Sequence, residues 1–228
     1  MDERVTVLLV DDHAVVREGY RRLLERDPRI VVCAEAADSD QAYRDFGLLH
    51  PVVAVVDIAL PRSSGIELTR RLLARDAAAK ILIFSMHDEG IFVRKAFEAG
   101  AIGYITKASA PEVLVEAVYA VAQGRRYLSR DVARILAKEA PAGEVEAVHA
   151  LSPREFEIFT LLAQGHSAAA IGERLCISAK TVANLQSVIR QKLGATNSAQ
   201  LAQIAARCGI GVLGVKERPL IPSPSRPP

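Results

Sequence analysis

Short runs of β-branched and aliphatic residues recur through the first half of the chain, with helix-patterned stretches between them. The runs are Val5-Thr6-Val7-Leu8-Leu9-Val10, Ile30-Val31-Val32-Cys33-Ala34, Val52-Val53-Ala54-Val55-Val56, Ile81-Leu82-Ile83-Phe84 and Ile102-Gly103-Tyr104-Ile105. Strands this short and this uniformly apolar suit a parallel sheet covered on both faces. Between them Val15, Val16, Gly19 and Leu23, and later Phe92, Val93, Ala96 and Phe97, fall three and four apart as on a helix face. Gly100 is placed to close the fourth such helix. The pattern predicts a doubly wound, five-stranded parallel sheet with right-handed crossovers. In such a sheet a binding site lies outside the carboxyl ends of the strands.

The residues at those ends carry chemistry. Strand one runs into Asp11-Asp12, strand three into Asp57, strand four into Ser85 and strand five into Thr106-Lys107. Three carboxylates on one rim would repel one another strongly if nothing compensated them. A hard divalent cation removes that cost, and Mg²⁺ favours a few carboxylates together with water and phosphate oxygens. Lys107 balances a further negative charge and Ser85 can hydrogen-bond an oxyanion. The set suits an aspartate nucleophile that takes up a phosphoryl group. Each acidic residue alone could simply cap the helix after its strand; three carboxylates, a hydroxyl and an ammonium, all at the matching strand ends, make that reading poor.

The second half is helical. A fifth helix of the first module is expected from Pro111 to about Gln123, closed by Gly124. Residues 125–149 hold one helical patch, Val132 to Lys138, then Ala140-Pro141-Ala142-Gly143-Glu144, and read as a solvated linker. Leu151-Ser152-Pro153-Arg154-Glu155-Phe156 is a complete helix start: Ser152 caps, Pro153 opens the first turn, Glu155 closes a capping box and Leu151 can staple to Phe156. A second helix follows Ser167, a tight turn comes at Cys176-Ile177, and a third helix runs from Ala179 to Leu193. A fourth opens near Asn197-Ser198. Two short helices joined by a tight turn, with basic residues at the ends of the second, form a helix-turn-helix that can enter a DNA major groove. The fold class is therefore α/β plus all-α.

These stretches resemble known families. Leu8-Leu9-Val10-Asp11-Asp12-His13, Val56-Asp57-Ile58-Ala59-Leu60-Pro61 with Gly65, Phe84-Ser85-Met86-His87-Asp88 and Gly103-Tyr104-Ile105-Thr106-Lys107 resemble the flavodoxin-like receiver domain of two-component response regulators, over residues 5–122. Residues 150–210 resemble the LuxR-type DNA-binding domain, through Leu151-Ser152-Pro153-Arg154-Glu155, Leu162-Ala163-Gln164-Gly165, Lys180-Thr181-Val182-Ala183-Asn184 and Lys192-Leu193-Gly194. Together they look like a regulator of the NarL/FixJ family. The resemblance implies that Asp57 is the phosphoacceptor, that Asp11, Asp12, Asp57 and the backbone carbonyl of Ala59 hold Mg²⁺, and that Ser85 and Lys107 hold the phosphoryl oxygens. Tyr104 matches a switch aromatic, against the plainer reading of a half-buried strand tyrosine. Ala59 and His87 match positions that tune hydrolysis, and Ala59 has no group to orient a water, which implies a long-lived phosphoryl-aspartate. Lys180, Thr181, Asn184 and Lys192 match DNA contacts, with Val182 reaching a thymine methyl, although Thr181 and Asn184 also suit plain solvated helix positions. Ala183 and Leu185 depart from the family pattern, where a basic residue and His are common. The implied partners are a sensor histidine kinase, double-stranded DNA and a second copy of the chain when phosphorylated.

Charge and composition fit this division. Residues 1–124 carry 15 Lys and Arg against 19 Asp and Glu, whereas residues 150–228 carry 9 against 4. An acidic receiver module at 1–124, a linker at 125–149 and a basic DNA-binding module at 150–213 follow, with a Pro-rich tail at 214–228 expected to be disordered. Three scattered cysteines, Cys33, Cys176 and Cys208, exclude a disulfide framework and a zinc site and suit the cytoplasm. No apolar run is long enough to be expected to span a membrane, and the acidic start is not expected to act as a signal peptide. Two rival readings stand beside this one. An aspartyl-nucleophile phosphatase would want an acid two residues after Asp57, where Ala59 stands. A regulator never phosphorylated would leave the five strand-end residues without a task, so the chain is expected to be no enzyme beyond its own aspartyl phosphorylation and dephosphorylation.

Overall fold

The computed structural model describes residues 4–138, 144–208 and 210. The Gly-Pro-Ala part of the expected hinge, through Gly143, and the Pro-rich tail lie outside the described residues. Six parallel strands form one sheet in the order β2-β1-β3-β4-β5-β6: β1 (Val5–Val10), β2 (Ile30–Ala36), β3 (Val53–Val56), β4 (Ile81–Ser85), β5 (Gly103–Thr106) and β6 (Tyr127–Leu128). Helices α1 (Ala14–Leu24) and α5 (Pro111–Ala122) cover one face, where Val7, Leu9, Leu82, Ile105 and Val118 are buried together. Helices α2 (Ser39–Leu49), α3 (Gly65–Arg75) and α4 (Gly90–Glu98) cover the other. Strand β3 is buried at every position, the consequence of a sheet with helices on both sides.

The sheet has six strands where five were expected. Residues Tyr127–Leu128 pair in parallel with Gly103 and Tyr104, and helix α6 (Arg130–Lys138) follows them. Two residues are too few to show a period, so this strand has no sequence signal; the open edge of β5 supplies its partner. Val132 is fully buried against this edge, and Thr106 Oγ1 donates to Asp131 Oδ2 at 2.5 Å. The described part of residues 125–149 is thus packed structure rather than a solvated connector, and it ends in a short helix, α7 (Glu144–His149).

Four further helices follow among the described residues: α8 (Pro153–Ala163), α9 (Ala168–Leu175), α10 (Ala179–Leu193) and α11 (Ser198–Arg207). The capping box at Ser152 and Glu155 is formed in both directions. Phe156, Phe159, Ile171, Leu175, Val182, Ile189, Leu201 and Ile204 make the core of this part. That core is continuous with the α2–α4 face of the sheet. No helix among the described residues is long and apolar enough to cross a membrane.

Candidate functional site

Strand register brings the expected residues to one rim. Val10 pairs with Val56 and Ser85 with Thr106, so Asp11, Asp57, Ser85 and Lys107 emerge side by side. The Asp57 amide donates to the Val10 carbonyl at 2.9 Å and the Lys107 amide to the Ser85 carbonyl at 2.8 Å, which extends the ladder one step past the strands. Asp11, Asp57 and Ser85 are buried, with 2%, 4% and 0% of their surface exposed. Lys107 Nζ lies 2.5 Å from Asp11 Oδ2 and 2.5 Å from Asp57 Oδ2. Burial works against the Lys107 ammonium, but the charges and hydrogen bonds of Asp57 and Asp11 outweigh it and raise its pKa above the usual 10.5.

Asp12 sits outside this pair, exposed, with Oδ1 2.6 Å from His13 Nδ1. Ligand atoms of Asp11, Asp12 and His13 all lie within 4.8 Å of one another. Three carboxylates face one ammonium, so the rim retains an excess of negative charge made of hard oxygen donors, which fits a small divalent cation. The Ala59 amide donates to Asp57 Oδ1 at 3.3 Å, so the loop after β3 curls over the Asp57 carboxylate. Arg17, which carried no sequence signal, braces the site from α1: its Nη1 donates to the Asp11 carbonyl at 2.5 Å.

Behind the rim Tyr104 is fully buried rather than half-buried, and its hydroxyl donates to the His87 carbonyl at 2.7 Å. Burial pushes its pKa well above 10, so it stays a neutral donor. The His87 amide donates to Ser85 Oγ at 3.3 Å. Ser85 and Tyr104 therefore grip the same residue through its two backbone groups.

The family pattern described as "Response regulator receiver domain" matches residues 7–119, and that of "Bacterial regulatory proteins, luxR family" matches residues 149–205. The chain is 36% identical over 207 residues to the transcriptional activator protein ExaE of Pseudomonas putida, covering 90% of this chain and 97% of ExaE. This chain is a response regulator of the NarL/FixJ family. The response regulator UvrY of Escherichia coli K12 is 33% identical, over 90% of this chain and 95% of UvrY. Among solved structures, the response regulator ChrA of a heme-sensing two-component system matches with TM-score 0.52 and 35% identity, over 92% of this chain and 100% of that one. RcsB in complex with DNA matches with TM-score 0.58 and 25% identity, over 90% and 98%. The response regulator is thus a DNA-binding transcription regulator of the two-component kind.

Its helix-turn-helix is α9 and α10. Cys176 closes α9 in the left-handed region at φ 52°, and a β-carbon on Gly172 would stand 2.7 Å from the Ile177 carbonyl, so the turn is tight. Ser178 caps α10 by accepting from the Thr181 amide. Lys180, Thr181, Ala183 and Asn184 are exposed on α10. Val182 differs from the expectation: it is fully buried in the domain core, one helical step round from that exposed face, and cannot present a methyl to DNA without leaving the core. Lys192 is ion-paired to Glu155 Oε2 at 2.7 Å, so it braces α10 against the start of α8. Burial works against the Glu155 carboxylate, but Lys192 and Ser152 outweigh it and hold its pKa below the ordinary 4.5.

Proposed function

We propose that Asp57 accepts a phosphoryl group from the histidine of a sensor kinase and that this uptake controls DNA binding by α10. The carboxylate of Asp57 attacks phosphorus, the bond from phosphorus to the donor nitrogen breaks, and that nitrogen keeps the electron pair. Charge then spreads over three phosphoryl oxygens. The Lys107 ammonium, already held between Asp11 and Asp57, is in reach of one; the Ser85 hydroxyl donates to another once it gives up the His87 amide. Asp11, Asp12, Asp57 and the Ala59 carbonyl would hold Mg²⁺, which when bound supplies the remaining positive charge. The single observation that carries this reading is the Lys107 ammonium bridging two buried carboxylates at the carboxyl end of the sheet.

Ala59 offers the attacking water no hydrogen-bonding side chain, so the phosphoryl-aspartate is slow to hydrolyse. On the output side Lys180, Thr181 and Asn184 meet DNA, and two copies of the chain, paired on phosphorylation, read two half-sites in the cytoplasm. The test is intact mass after incubation with acetyl phosphate and Mg²⁺, for wild type and Asp57→Asn, with retention on genomic DNA measured in the same samples. A gain of one phosphoryl in wild type, absent in Asp57→Asn and accompanied by stronger DNA retention, is the expected result. No gain in wild type, or retention indifferent to it, would overturn the reading in favour of a regulator that works without phosphorylation.

A further inference from the structure

Asp131 lies in the first turn of α6, outside the five-stranded receiver that the sequence predicts. Its carboxylate reaches back to the loop after β5. Oδ2 accepts from Thr106 Oγ1 at 2.5 Å, and Ser109 Oγ stands 3.3 Å from Oδ1 and 3.4 Å from Oδ2. The two hydroxyls are 3.1 Å apart, and the Ser109 amide donates to the Thr106 carbonyl at 3.1 Å. Thr106 and Ser109 bracket Lys107, so one carboxylate closes the turn that carries the ammonium of the rim. An acid in the first turn of a helix suits the positive end of that helix. That explains an acid at position 131, but not two hydroxyls brought to it from a loop more than twenty positions back.

The carboxylate is itself fixed in place. Before it, the Tyr127 amide donates to the Ile102 carbonyl at 3.0 Å and the Ser129 amide to the Tyr104 carbonyl at 3.2 Å. After it, Val132 is fully buried. The start of α6 is therefore anchored on both sides of Asp131. On the opposite side of the loop, the Lys107 amide donates to the Ser85 carbonyl at 2.8 Å. Lysine carries its charge on a flexible four-carbon stem, so the place of its ammonium depends on how firmly its backbone is held. The backbone at Lys107 is held by β4 through Ser85 and by α6 through Asp131.

We propose that Asp131 is a positioning residue for Lys107 in phosphoryl uptake. The β6–α6 segment then belongs to the phosphoryl-transfer unit as well as to the route toward the DNA-binding half. The proposal rests on the reading of Asp57 as phosphoacceptor, with Lys107 as the cation for its phosphoryl group. In the structure the ammonium lies between Asp11 and Asp57. As the phosphoryl group arrives, the ammonium has to turn toward a new oxygen without drifting from the rim. A turn closed by Asp131 leaves only the side chain free to move. With the turn open, the ammonium ranges more widely and meets the phosphoryl oxygens less often in the geometry that lowers the barrier. Asp131 acts through Thr106 and Ser109, not on the donor itself.

The test follows phosphoryl uptake from acetyl phosphate by intact mass, over a range of donor and Mg²⁺ concentrations. It compares full-length wild type with Asp131→Ala, Asp131→Asn, Thr106→Val and the double variant Thr106→Val/Asp131→Ala. In Asp131→Ala the maximal rate falls on the order of tenfold. The Mg²⁺ concentration for half-maximal rate stays where it is, because Asp11, Asp12 and Asp57 are untouched. Asp131→Asn keeps an oxygen for the Thr106 hydroxyl and recovers most of the rate. The double variant is no slower than the slower single one, since a broken link cannot be broken twice. An undiminished maximal rate in Asp131→Ala overturns the role, and so does a double variant whose losses multiply. A rate loss matched by a raised Mg²⁺ requirement also overturns it, because it marks a general loosening of the rim. Should Asp131→Ala not fold, Thr106→Val and Ser109→Ala decide. Undiminished rates in both overturn the role, and a loss in either with the Mg²⁺ requirement unchanged upholds it. Absence of uptake in wild type strikes the reading of Asp57 and the role of Asp131 with it, whereas uptake that the variants share in full strikes Asp131 alone.

Discussion

A β-carbon on Gly65 would stand 2.0 Å from the carbonyl oxygen of Asp57. The first turn of α3 lies directly beneath Asp57, and the Gly65 amide ties the loop shut by donating to the Ile58 carbonyl at 2.9 Å. Gly65→Ala therefore has to push backbone against backbone. The expected cost is about 1–3 kcal/mol of stability, with Asp57 displaced relative to Lys107. Urea unfolding reads the first effect and the rate of phosphoryl uptake from acetyl phosphate reads the second.

Lys107→Met leaves Asp11 and Asp57 buried together without their cation. Removing one partner of a buried ion pair costs about 3–5 kcal/mol. Mg²⁺ should recover part of that loss, so the variant's melting temperature rises with Mg²⁺ more than the wild type's does. The pH dependence follows from the raised pKa of Lys107. Its contribution to stability is complete below the ordinary 10.5 and is lost as pH climbs through the higher folded-state value. Alkaline denaturation of wild type, set against Lys107→Met, shows whether that segment of the curve belongs to Lys107.

Glu155 has the opposite sign. Its folded pKa lies below 4.5, so its contribution is present above that value and is lost as pH falls through the folded one. Glu155→Gln should flatten the acid limb of the stability curve. Lys192→Met should flatten it in part, because the Ser152 amide still donates to the carboxylate at 2.7 Å.

Val182 and Asn184 should separate cleanly. Val182→Ala opens a cavity in the core and lowers stability by about 1–2 kcal/mol without changing the base preference of the folded protein. Asn184→Ala, at an exposed position, leaves the melting temperature nearly unchanged and alters DNA affinity or preference. Thermal unfolding beside binding to a randomised DNA pool distinguishes them.

Ala183 is exposed on α10, next to Asn184. Ala183→Lys should add one phosphate contact and steepen the slope of log affinity against log salt by about 0.9. An unchanged slope would place position 183 away from the DNA backbone.

Much of the receiver's site was legible because it is written in strand ends. Each of Asp11, Asp57, Ser85 and Lys107 stands at or just after the last residue of an apolar run. A parallel sheet must bring such ends to one rim, so local pattern and global position coincide. The helix starts at Ser152, Ser167, Ser178 and Asn197 were readable for the same reason: a cap and its helix are neighbours in sequence.

What the residues alone determined, then, is whatever depends on short sequence spacing: the strands, the caps, the turn at Cys176-Ile177, and the rim at which acid, hydroxyl and ammonium meet. Only the tertiary structure decided what depends on partners far along the chain. The strand at Tyr127–Leu128 exists because β5 has an open edge for it. Val182 turns into the core and Lys192 toward Glu155 because the α8 and α10 helices cross there. Lys95 reads in the sequence as one more cation on an amphipathic helix. Its burial against the carbonyls of Leu151 and His149 arises only when residues more than fifty positions apart are packed together, where a charged group must find donors or acceptors or be expelled to water.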